Sequence, residues 1–288
     1  MGAGPAGGPS TGSRLTRHLV TVGDRQVLVR RGGSGPPFVL LHESPLSSEI
    51  FARCLPLLGA EIDAIALDAP GYGLSDPSPS PPTIESYAAT LLEAISGLGL
   101  ERFALFGTHT GVSVALELAH LAGLARVTHG ILSGVPLLSA DERARLLAQI
   151  VADFSPRADG SHLGRAWANR SQAGGDGPDL ITLGVLHLAG NHELCHLGHH
   201  AVFAHDCAPL LPGFTPPTLV LNSEDDPLAA KDPVAVGLLP DARLVMLPRG
   251  NRKPYFQSPE LFSREVLAVL RERPAGPVAA GGGLGGPG

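Results

Sequence analysis

The sequence predicts an α/β domain in which helices cover both faces of a mostly parallel, doubly wound sheet of about eight strands. Two observations support this fold class. Short apolar runs alternate with segments of helical periodicity up to about residue 135, and the alternation returns after about residue 212. A strand that is followed by a helix and then by another strand favours a parallel crossover. The chain has 288 residues and is 43% hydrophobic, which is sufficient for one large domain with an insertion.

The predicted strands fall into two kinds. The first two flank the pair Gly23-Asp24, a two-residue turn that predicts a β-hairpin. The others are short apolar runs without polar alternation, which is typical of parallel strands buried on both faces. In chain order the predicted strands are 18–22, 26–30, 38–41, 62–67, 103–106, 130–132, 218–221 and 243–247.

Helix signals separate these strands. Thr83 is a suitable N-cap for a helix over 84–98, and Glu85 stands in its first turn, where the helix dipole favours a carboxylate. The third residue after Thr83 is Ser86 rather than Glu or Gln, so no reciprocal capping box is expected. The other helices of the alternating part are predicted at 113–121 and 259–271.

The rest of the chain divides by composition. Residues 136–212 lose the alternation and are rich in His and Arg, which predicts a helical cap inserted into the core formed by 15–135 and 213–272. The terminal segments 1–14 and 273–288 consist mostly of Gly, Pro, Ala and other small residues. Such segments have too little apolar surface to bury, so both are predicted to be disordered tails.

Charge and cysteine usage exclude several classes of partner. The net charge is −6 and no block of Lys or Arg is present, so neither nucleic acid nor an anionic membrane is expected as a partner. No apolar run is long enough to span a bilayer. The three cysteines, Cys54, Cys195 and Cys207, show no CxxC spacing and are interpreted as reduced thiols. These features predict a cytoplasmic protein; they give no oligomeric state.

Four segments carry motif-like patterns, and together they resemble the α/β-hydrolase family over roughly residues 18–271. The third segment, Gly-Thr-His-Thr-Gly, lies between a predicted strand and a predicted helix, as a nucleophile elbow does. The resemblance implies a small-molecule enzyme with a catalytic triad and an oxyanion loop. The four segments are 40–45, 68–76, 107–111 and 219–227.

The elbow departs from the family in its central residue. Gly107 and Gly111 provide the backbone room that a sharp strand-to-helix turn needs, and His109 occupies the position of the nucleophilic serine. Imidazole can attack an acyl group or act as a general base, so His109 is predicted to be the nucleophile or the base. The nearby helix N-terminus carries partial positive charge, which predicts a mostly neutral His109 near pH 7.

The other triad positions also change. The resemblance assigns the triad acid to Asp226 and places Arg252 where the family has its histidine. Arginine cannot serve as a neutral base because its pKa stays above about 12. Asp226 and Arg252 are therefore expected to form an ion pair. Glu43 replaces a glycine of the oxyanion loop, and it is the first candidate to orient His109, with Asp226 as the second.

Further pocket residues are predicted from position. By resemblance, His42, Ser44 and Thr110 are expected at the oxyanion site or in the pocket. Within the predicted cap, the substrate contacts are expected to be His162, Arg165, Trp167 and His200. Aromatic residues make up only 5% of the chain, which predicts a small, aliphatic pocket.

One cap segment matches a metal motif. His192-Glu193-Leu194-Cys195-His196 has the H-E-x-x-H spacing of zinc peptidases, with His199 and His200 one turn further on. This stretch is dense in histidine, so a chance match is easy. The main prediction is therefore that one or two of these histidines line the pocket, the others face solvent, and the protein needs no cofactor or metal. A zinc site here is a minor alternative.

Several functions stay open at this point. The main prediction is a hydrolase for a small, largely apolar carbonyl or ester compound with His109 in place of serine. The alternatives are a cofactor-free C–C lyase or isomerase, and a ligand-binding protein that has lost its chemistry. One fold hosts many activities, so resemblance does not decide among them.

Overall fold

An eight-stranded sheet forms the centre of the protein in a computed structural model, which describes residues 13–78, 81–150, 155–172, 174–191 and 193–272. The strands are β1 (Leu15–Val22), β2 (Arg25–Gly32), β3 (Pro37–Leu41), β4 (Asp63–Leu67), β5 (Phe103–Thr108), β6 (Val127–Ser133), β7 (Thr218–Ser223) and β8 (Ala242–Leu247). Their order in the sheet is β1-β2-β4-β3-β5-β6-β7-β8.

The sheet is mostly parallel, as predicted. Strand β2 is antiparallel to both of its neighbours, β1 and β4, and the first pair is the predicted hairpin. From β4 through β3, β5, β6 and β7 to β8, every adjacent pair is parallel. Because β3 and β6 flank β5, the loops at the carboxyl ends of these three strands meet at one edge of the sheet.

Helices cover both faces of the sheet. One face carries α2 (Ile84–Gly97), α3 (Thr110–Ala122) and α8 (Asp232–Leu238), and the other carries α1 (Leu55–Leu58), α9 (Pro254–Gln257) and α10 (Pro259–Leu270). Alternate residues of the parallel strands point to opposite faces and enter two separate apolar cores. Val39 and Leu105 belong to the core on the α2–α3 side, whereas Leu40 and Phe106 belong to the core on the α10 side.

Four helices lie between β6 and β7, in the segment predicted as a cap. They are α4 (Ala140–Ala148), α5 (Ser161–Gln172), α6 (Pro178–Gly190) and α7 (Leu197–Ala204). The division of the chain into a core and a cap over 136–212 stays a prediction. Of the predicted tails, 1–12 and 273–288 lie outside the described residues, while Leu15 begins β1. Among the described helices, none is both long and apolar enough to cross a membrane.

The start of α2 corrects one expectation. Thr83 is the N-cap, as predicted, and its side chain accepts a hydrogen bond from the backbone N–H of Ser86. The backbone N–H of Thr83 in turn donates to the Ser86 hydroxyl, at 2.9 Å. The capping box is therefore closed, because a serine hydroxyl reaches the N-cap backbone from the position that Glu or Gln usually fills.

Candidate active site

The turn between β5 and α3 holds His109 in an unusual backbone conformation. Its φ of 48° and ψ of −113° make it the one non-glycine residue with positive φ among those the structure describes. The flanking glycines are sterically required. A Cβ on Gly107 would lie 2.4 Å from the carbonyl oxygen of Gly111, and one on Gly111 would lie 2.3 Å from that of Leu41. A strained turn of this kind projects its central side chain outward, so the backbone determines where His109 points.

The His109 ring lies between two carboxylates. Its Nε2 is 2.8 Å from Oδ2 of Asp226, and its Nδ1 is 3.6 Å from Oε2 of Glu43. The other oxygen of Asp226 accepts a hydrogen bond of 2.8 Å from the backbone N–H of Leu228. This second bond fixes the orientation of the Asp226 carboxylate. A hydrogen bond to a carboxylate requires a proton on the His109 nitrogen, so Nε2 carries a proton and donates to Asp226.

Glu43 is held by a buried network on its other side. Nζ of Lys253 lies 2.5 Å from Oε1 of Glu43, and the side chains are only 8% and 6% exposed. The Tyr255 hydroxyl lies 3.4 Å from the same oxygen and 3.3 Å from the Thr108 hydroxyl. Burying a carboxylate is costly unless a cation and hydrogen bonds compensate it. Lys253 is the cation that compensates Glu43.

Gly134 leaves the space that the His109 ring occupies. This glycine follows β6 with a φ of +66°, and a Cβ there would lie 2.5 Å from Cδ2 and 2.6 Å from Nε2 of His109. Such distances are far inside van der Waals contact. The loop after β6 therefore accommodates an imidazole ring only with glycine at this position.

The carboxylates determine the protonation of the site. Burial lowers the pKa of His109, but the charges of Glu43 and Asp226 outweigh burial and raise it above its ordinary value. Burial likewise opposes ionisation of Asp226, yet His109 brings the pKa of that carboxyl down to about 2. The pKa of Glu43 is lowered as well, because Lys253 and His109 outweigh burial. The helix end was expected to lower the pKa of His109, but the shift has the opposite direction, because two adjacent carboxylates outweigh the partial charge of the helix end.

A cavity of about 560 Å³ opens beside His109, between the carboxyl edge of the sheet and helices α4–α7. Its wall is mainly apolar with several polar groups. The lining residues are Glu43, Ser44, Pro45, Leu46, His109, Leu146, Gln149, Ile150, Ala166, Asn169, Arg170, Asp176, Leu188, Cys195, His196, His199, Phe203, Pro227, Arg252 and Lys253.

Comparison with known proteins finds curated relatives that match part of the chain and solved structures that match its fold. No family model matches the chain. A fluoroacetate dehalogenase from Burkholderia sp. is 38% identical over 100 residues, which make up 33% of this chain and 33% of that protein. The match thus spans about a third of the length of this curated relative.

Solved structures match over nearly the whole chain. An esterase from Thermogutta terrifontis is 21% identical, with a TM-score of 0.71 over 90% of this chain and 98% of that one. An esterase from Exiguobacterium antarcticum is 20% identical, with a TM-score of 0.72 over 88% and 99% of the two chains. The chain has the α/β-hydrolase fold. At these identities the likeness establishes the fold and leaves the activity to be argued from the site.

Within the α/β-hydrolase fold, three of the four predicted catalytic residues come together. His109, Asp226 and Glu43 form one cluster, although Asp226 rather than Glu43 makes the closer contact with the histidine. The predicted ion pair between Asp226 and Arg252 is wrong. The Asp226 carboxylate bonds His109, while the Arg252 guanidinium donates to the carbonyl oxygen of Gly174.

The residues predicted for the oxyanion site have different surroundings. His42 does not line the cavity, because its Nε2 accepts from the backbone N–H of Ala69 at 2.8 Å and its Nδ1 contacts the Glu43 carbonyl oxygen at 3.0 Å. Ser44 lines the cavity. Thr110 is buried at the first position of α3, directly after His109.

The four residues predicted as substrate contacts lie outside the cavity wall. None of His162, Arg165, Trp167 and His200 lines the cavity. On α5 the lining residues are instead Ala166, Asn169 and Arg170, which share a helix face through their spacing of three and four. Trp167 is 41% exposed. The cavity is lined by His196, which directly precedes α7, and by His199 of α7, but not by His200.

The sequence analysis did not predict Lys253, Tyr255 or Arg170 as site residues. No motif in the sequence indicated Lys253, because its neighbour Arg252 occupies the position of the family's histidine. His199 lines the cavity with its ring stacked on Phe203 at 5.9 Å, and burial lowers its pKa. His196 and His199 are the histidines of this stretch that line the cavity, where one or two were expected.

The H-E-x-x-H segment does not form a ligand set within the described part of the chain. His192 lies outside the described residues. The His196 and His200 rings contact edge to face at 5.5 Å, and His199 stacks on Phe203. In the ranges that the structure describes, one group of three ligand-type side chains converges, and it lies elsewhere, at Glu85, Glu117 and His205.

Proposed function

We propose that this chain is a hydrolase for a small, largely apolar carbonyl or ester compound, in which His109 acts as the general base toward water. The observation that carries the proposal is the 2.8 Å contact between His109 Nε2 and Asp226 at the mouth of a cavity. In the usual triad an aspartate orients the histidine and stabilises its imidazolium form. Here the acid–histidine pair is kept, but the histidine stands at the elbow, where the serine would be.

The tautomer of His109 indicates which of its nitrogens would act as the base. Because Nε2–H donates to Asp226, neutral His109 has its lone pair on Nδ1. That nitrogen can accept a proton from a water molecule in the cavity. The raised pKa of His109 makes it a stronger base than a free imidazole. The base is active only in the deprotonated form, so the rate is expected to increase as pH rises through this pKa.

Crowding around Nδ1 favours the base over the nucleophile. Glu43 Oε2 already lies 3.6 Å from Nδ1. An acyl-imidazole would place an acyl carbon and its substituents in that space, against the Glu43 carboxylate. Proton transfer from water requires only a hydrogen bond to Nδ1, which is much less demanding. Direct attack of water also requires no hydroxyl nucleophile, and the elbow has none at its centre.

The start of α3 offers a site for the developing negative charge. The first N–H groups of a helix have no intrahelical partner, and those of Thr110 and Gly111 open α3 beside His109. Donors and the helix dipole at this position would stabilise an oxyanion. The apolar side chains Leu46, Leu146 and Phe203 line the cavity and favour a largely apolar substrate.

The test is turnover by the His109→Ala protein on a panel of esters, lactones and β-diketones. Loss of a general base typically lowers the rate by about 10²–10⁴-fold, and His109→Ser should not restore it, because no histidine stands at position 252. His162→Ala is the matched control, since this histidine lies outside the cavity and its loss should leave turnover unchanged.

The panel also discriminates the alternatives. Cleavage of β-diketones alone would indicate the C–C lyase, and tight binding without turnover would indicate a binding protein. Near-normal activity of His109→Ala would show that the elbow is not the reaction centre.

A further inference from the structure

The side chain of Arg170 lies in the wall of the cavity that His109 also lines. Arg170 belongs to the last turn of α5, and its side chain is only 16% exposed. A guanidinium carries five N–H donors. Within the residues that the structure describes, none of them makes a hydrogen bond, because Nη2 is 3.8 Å from Oδ2 of Asp176 and Nε is buried without a partner. Asp176 therefore offsets part of the charge of Arg170 but leaves its donors unused.

Helix α6 provides the space for this guanidinium. Gly184 is buried in the interior of α6, and a Cβ at that position would overlap Nε and Cζ of Arg170. Glycine inside a helix is less favourable than alanine, so a glycine there is expected where a neighbouring group needs the space. Gly184 thus lets the guanidinium pack against α6 and stay at the cavity wall.

A second guanidinium lies in the same region of the cavity wall. The segment 174–176 contacts both arginines, since the Gly174 carbonyl oxygen accepts from Arg252 and Asp176 is the carboxylate near Arg170. Arg252 and Asp176 line the cavity as well. In this part of the lining, two arginines therefore accompany one carboxylate, which favours an anionic ligand.

Arg170 and His109 are close enough to act on the same neighbour, His199. Burial lowers the pKa of His199, and the charges of His109 and Arg170 each lower it further. All three side chains line the cavity. A single small molecule could therefore contact His109 with one end and Arg170 with the other. Ala166 and Leu188 contribute to the apolar surface of the same cavity.

We propose that Arg170 binds a carboxylate of the substrate, at the end of its chain away from the carbonyl that reacts. The inference rests on the proposed function for the reacting end and adds the substrate class, monoesters of short dicarboxylic acids. The planar fork of a guanidinium can donate two parallel hydrogen bonds to a carboxylate. Because Asp176 already offsets part of the charge, a singly charged carboxylate suits this place better than a doubly charged phosphate.

The binding experiment is calorimetric titration of succinate, glutarate and adipate, the expected acid products, into the full-length wild type and its variants. At least one of them should bind the wild type more tightly than its diamide does. Because hydrogen bonds to charged groups are the stronger ones, Arg170→Met should weaken that binding by about 10–100-fold. Arg165→Met is the matched control and should bind normally, since this exposed arginine of the same helix lies outside the cavity.

A second pair of variants keeps the charge and moves the guanidinium. Gly184→Ala fills the space that the Arg170 guanidinium occupies, so it should also weaken dicarboxylate binding. Alanine favours a helix, so the variant is expected to fold, and circular dichroism checks this. Gly190→Ala, at the end of the same helix, is the control, because its Cβ would meet no atom within 4 Å. Equal affinities of the wild type, Arg170→Met and Gly184→Ala, or no dicarboxylate binding to the wild type, would overturn the proposal.

Turnover separates failure of the carboxylate site from failure of the proposed reaction. On monoethyl esters of these acids, Arg170→Met should raise KM with little change in kcat, and on matching esters that end in a carboxamide it should change neither. His109→Ala should lower kcat on both. If no ester is hydrolysed but dicarboxylate binding depends on Arg170, the proposed reaction is wrong and the carboxylate site stands. If hydrolysis depends on His109 but Arg170→Met affects both esters equally, the carboxylate site is wrong and the reaction stands.

Discussion

The elbow at 107–111 and the loop at 250–254 both face the same cluster of charges, but they position their side chains by different means. At the elbow, the positive φ of His109 and the close packing of Gly107 and Gly111 determine the direction in which the His109 side chain points. The loop before α9 has no such constraint. There Arg252 turns away to the Gly174 carbonyl, and Lys253 turns inward to Glu43.

This difference explains why the motif predicted one side chain and not the other. A strained turn determines side-chain direction from the backbone, which a short sequence pattern can encode. An irregular loop places its side chains by tertiary partners. The buried carboxylate at position 43 is compensated by Lys253, whose compact ammonium group sits on a flexible stem.

The largest effect is expected from replacing Lys253. Lys253→Met leaves the Glu43 carboxylate buried without its cation, and breaking a buried pair in this way typically costs about 3–5 kcal/mol of unfolding free energy. Arg252→Met is the matched control on the adjacent residue. It removes a hydrogen bond to the Gly174 carbonyl, so a loss of about 1 kcal/mol is expected. Chemical denaturation of the two variants measures the difference.

A double variant sharpens this comparison. Glu43→Leu combined with Lys253→Met removes both charges, and replacing a whole buried pair by apolar residues is often close to neutral. The double variant should therefore be more stable than Lys253→Met alone. If Arg252→Met proved as destabilising as Lys253→Met, the roles assigned to the two loop residues would be reversed.

The sequence predicted most of the framework and part of the site. The parallel sheet, the hairpin and the elbow follow from apolar patterning and glycine spacing, which are local properties. The pairing of His109 with Asp226, and the identity of the residues on α5 that face the cavity, depend on how the loops and helices pack. The raised pKa of His109 has the same origin, because it results from two carboxylates that lie 66 and 117 residues away in sequence.

A smaller effect is expected from replacing Gly134, the residue that leaves room for the His109 ring. In Gly134→Ala the new Cβ would overlap the His109 ring, and overpacking of this kind typically costs about 1–3 kcal/mol. The ring would have to leave Asp226. Gly123→Ala is the control, because that glycine also has positive φ but its Cβ would meet no atom within 4 Å.

Comparing Gly134→Ala in the wild type and in the His109→Ala variant tests whether the ring causes the loss of stability. In a His109→Ala background the overlap disappears and only the backbone strain at Gly134 remains, so the cost of Gly134→Ala should fall to that of Gly123→Ala. Equal costs in both backgrounds would mean that the ring does not occupy the space beside Gly134.

The smallest expected effect is the pH dependence of stability. Because folding raises the pKa of His109, the folded protein holds this proton more tightly than the unfolded chain does. The resulting stabilisation is complete below the unfolded value of about 6.5 and is lost as pH rises through the folded pKa above it. For Asp226 the pKa falls to about 2 on folding, so its contribution is present above the unfolded value and is lost only as pH falls toward about 2. Above about pH 6, therefore, His109 changes its contribution to the unfolding free energy and Asp226 does not.

The unfolding free energy of the wild type relative to His109→Gln should accordingly decrease as pH rises across that range. Ser44→Ala removes a neutral hydroxyl from the same cavity wall, so its unfolding free energy should differ from that of the wild type by the same amount at every pH. Thermal unfolding followed by circular dichroism at several pH values gives both differences. An increase with pH for His109→Gln would mean that folding lowers the histidine pKa. The ring would then be held neutral by the helix end, and the two carboxylates would not control it.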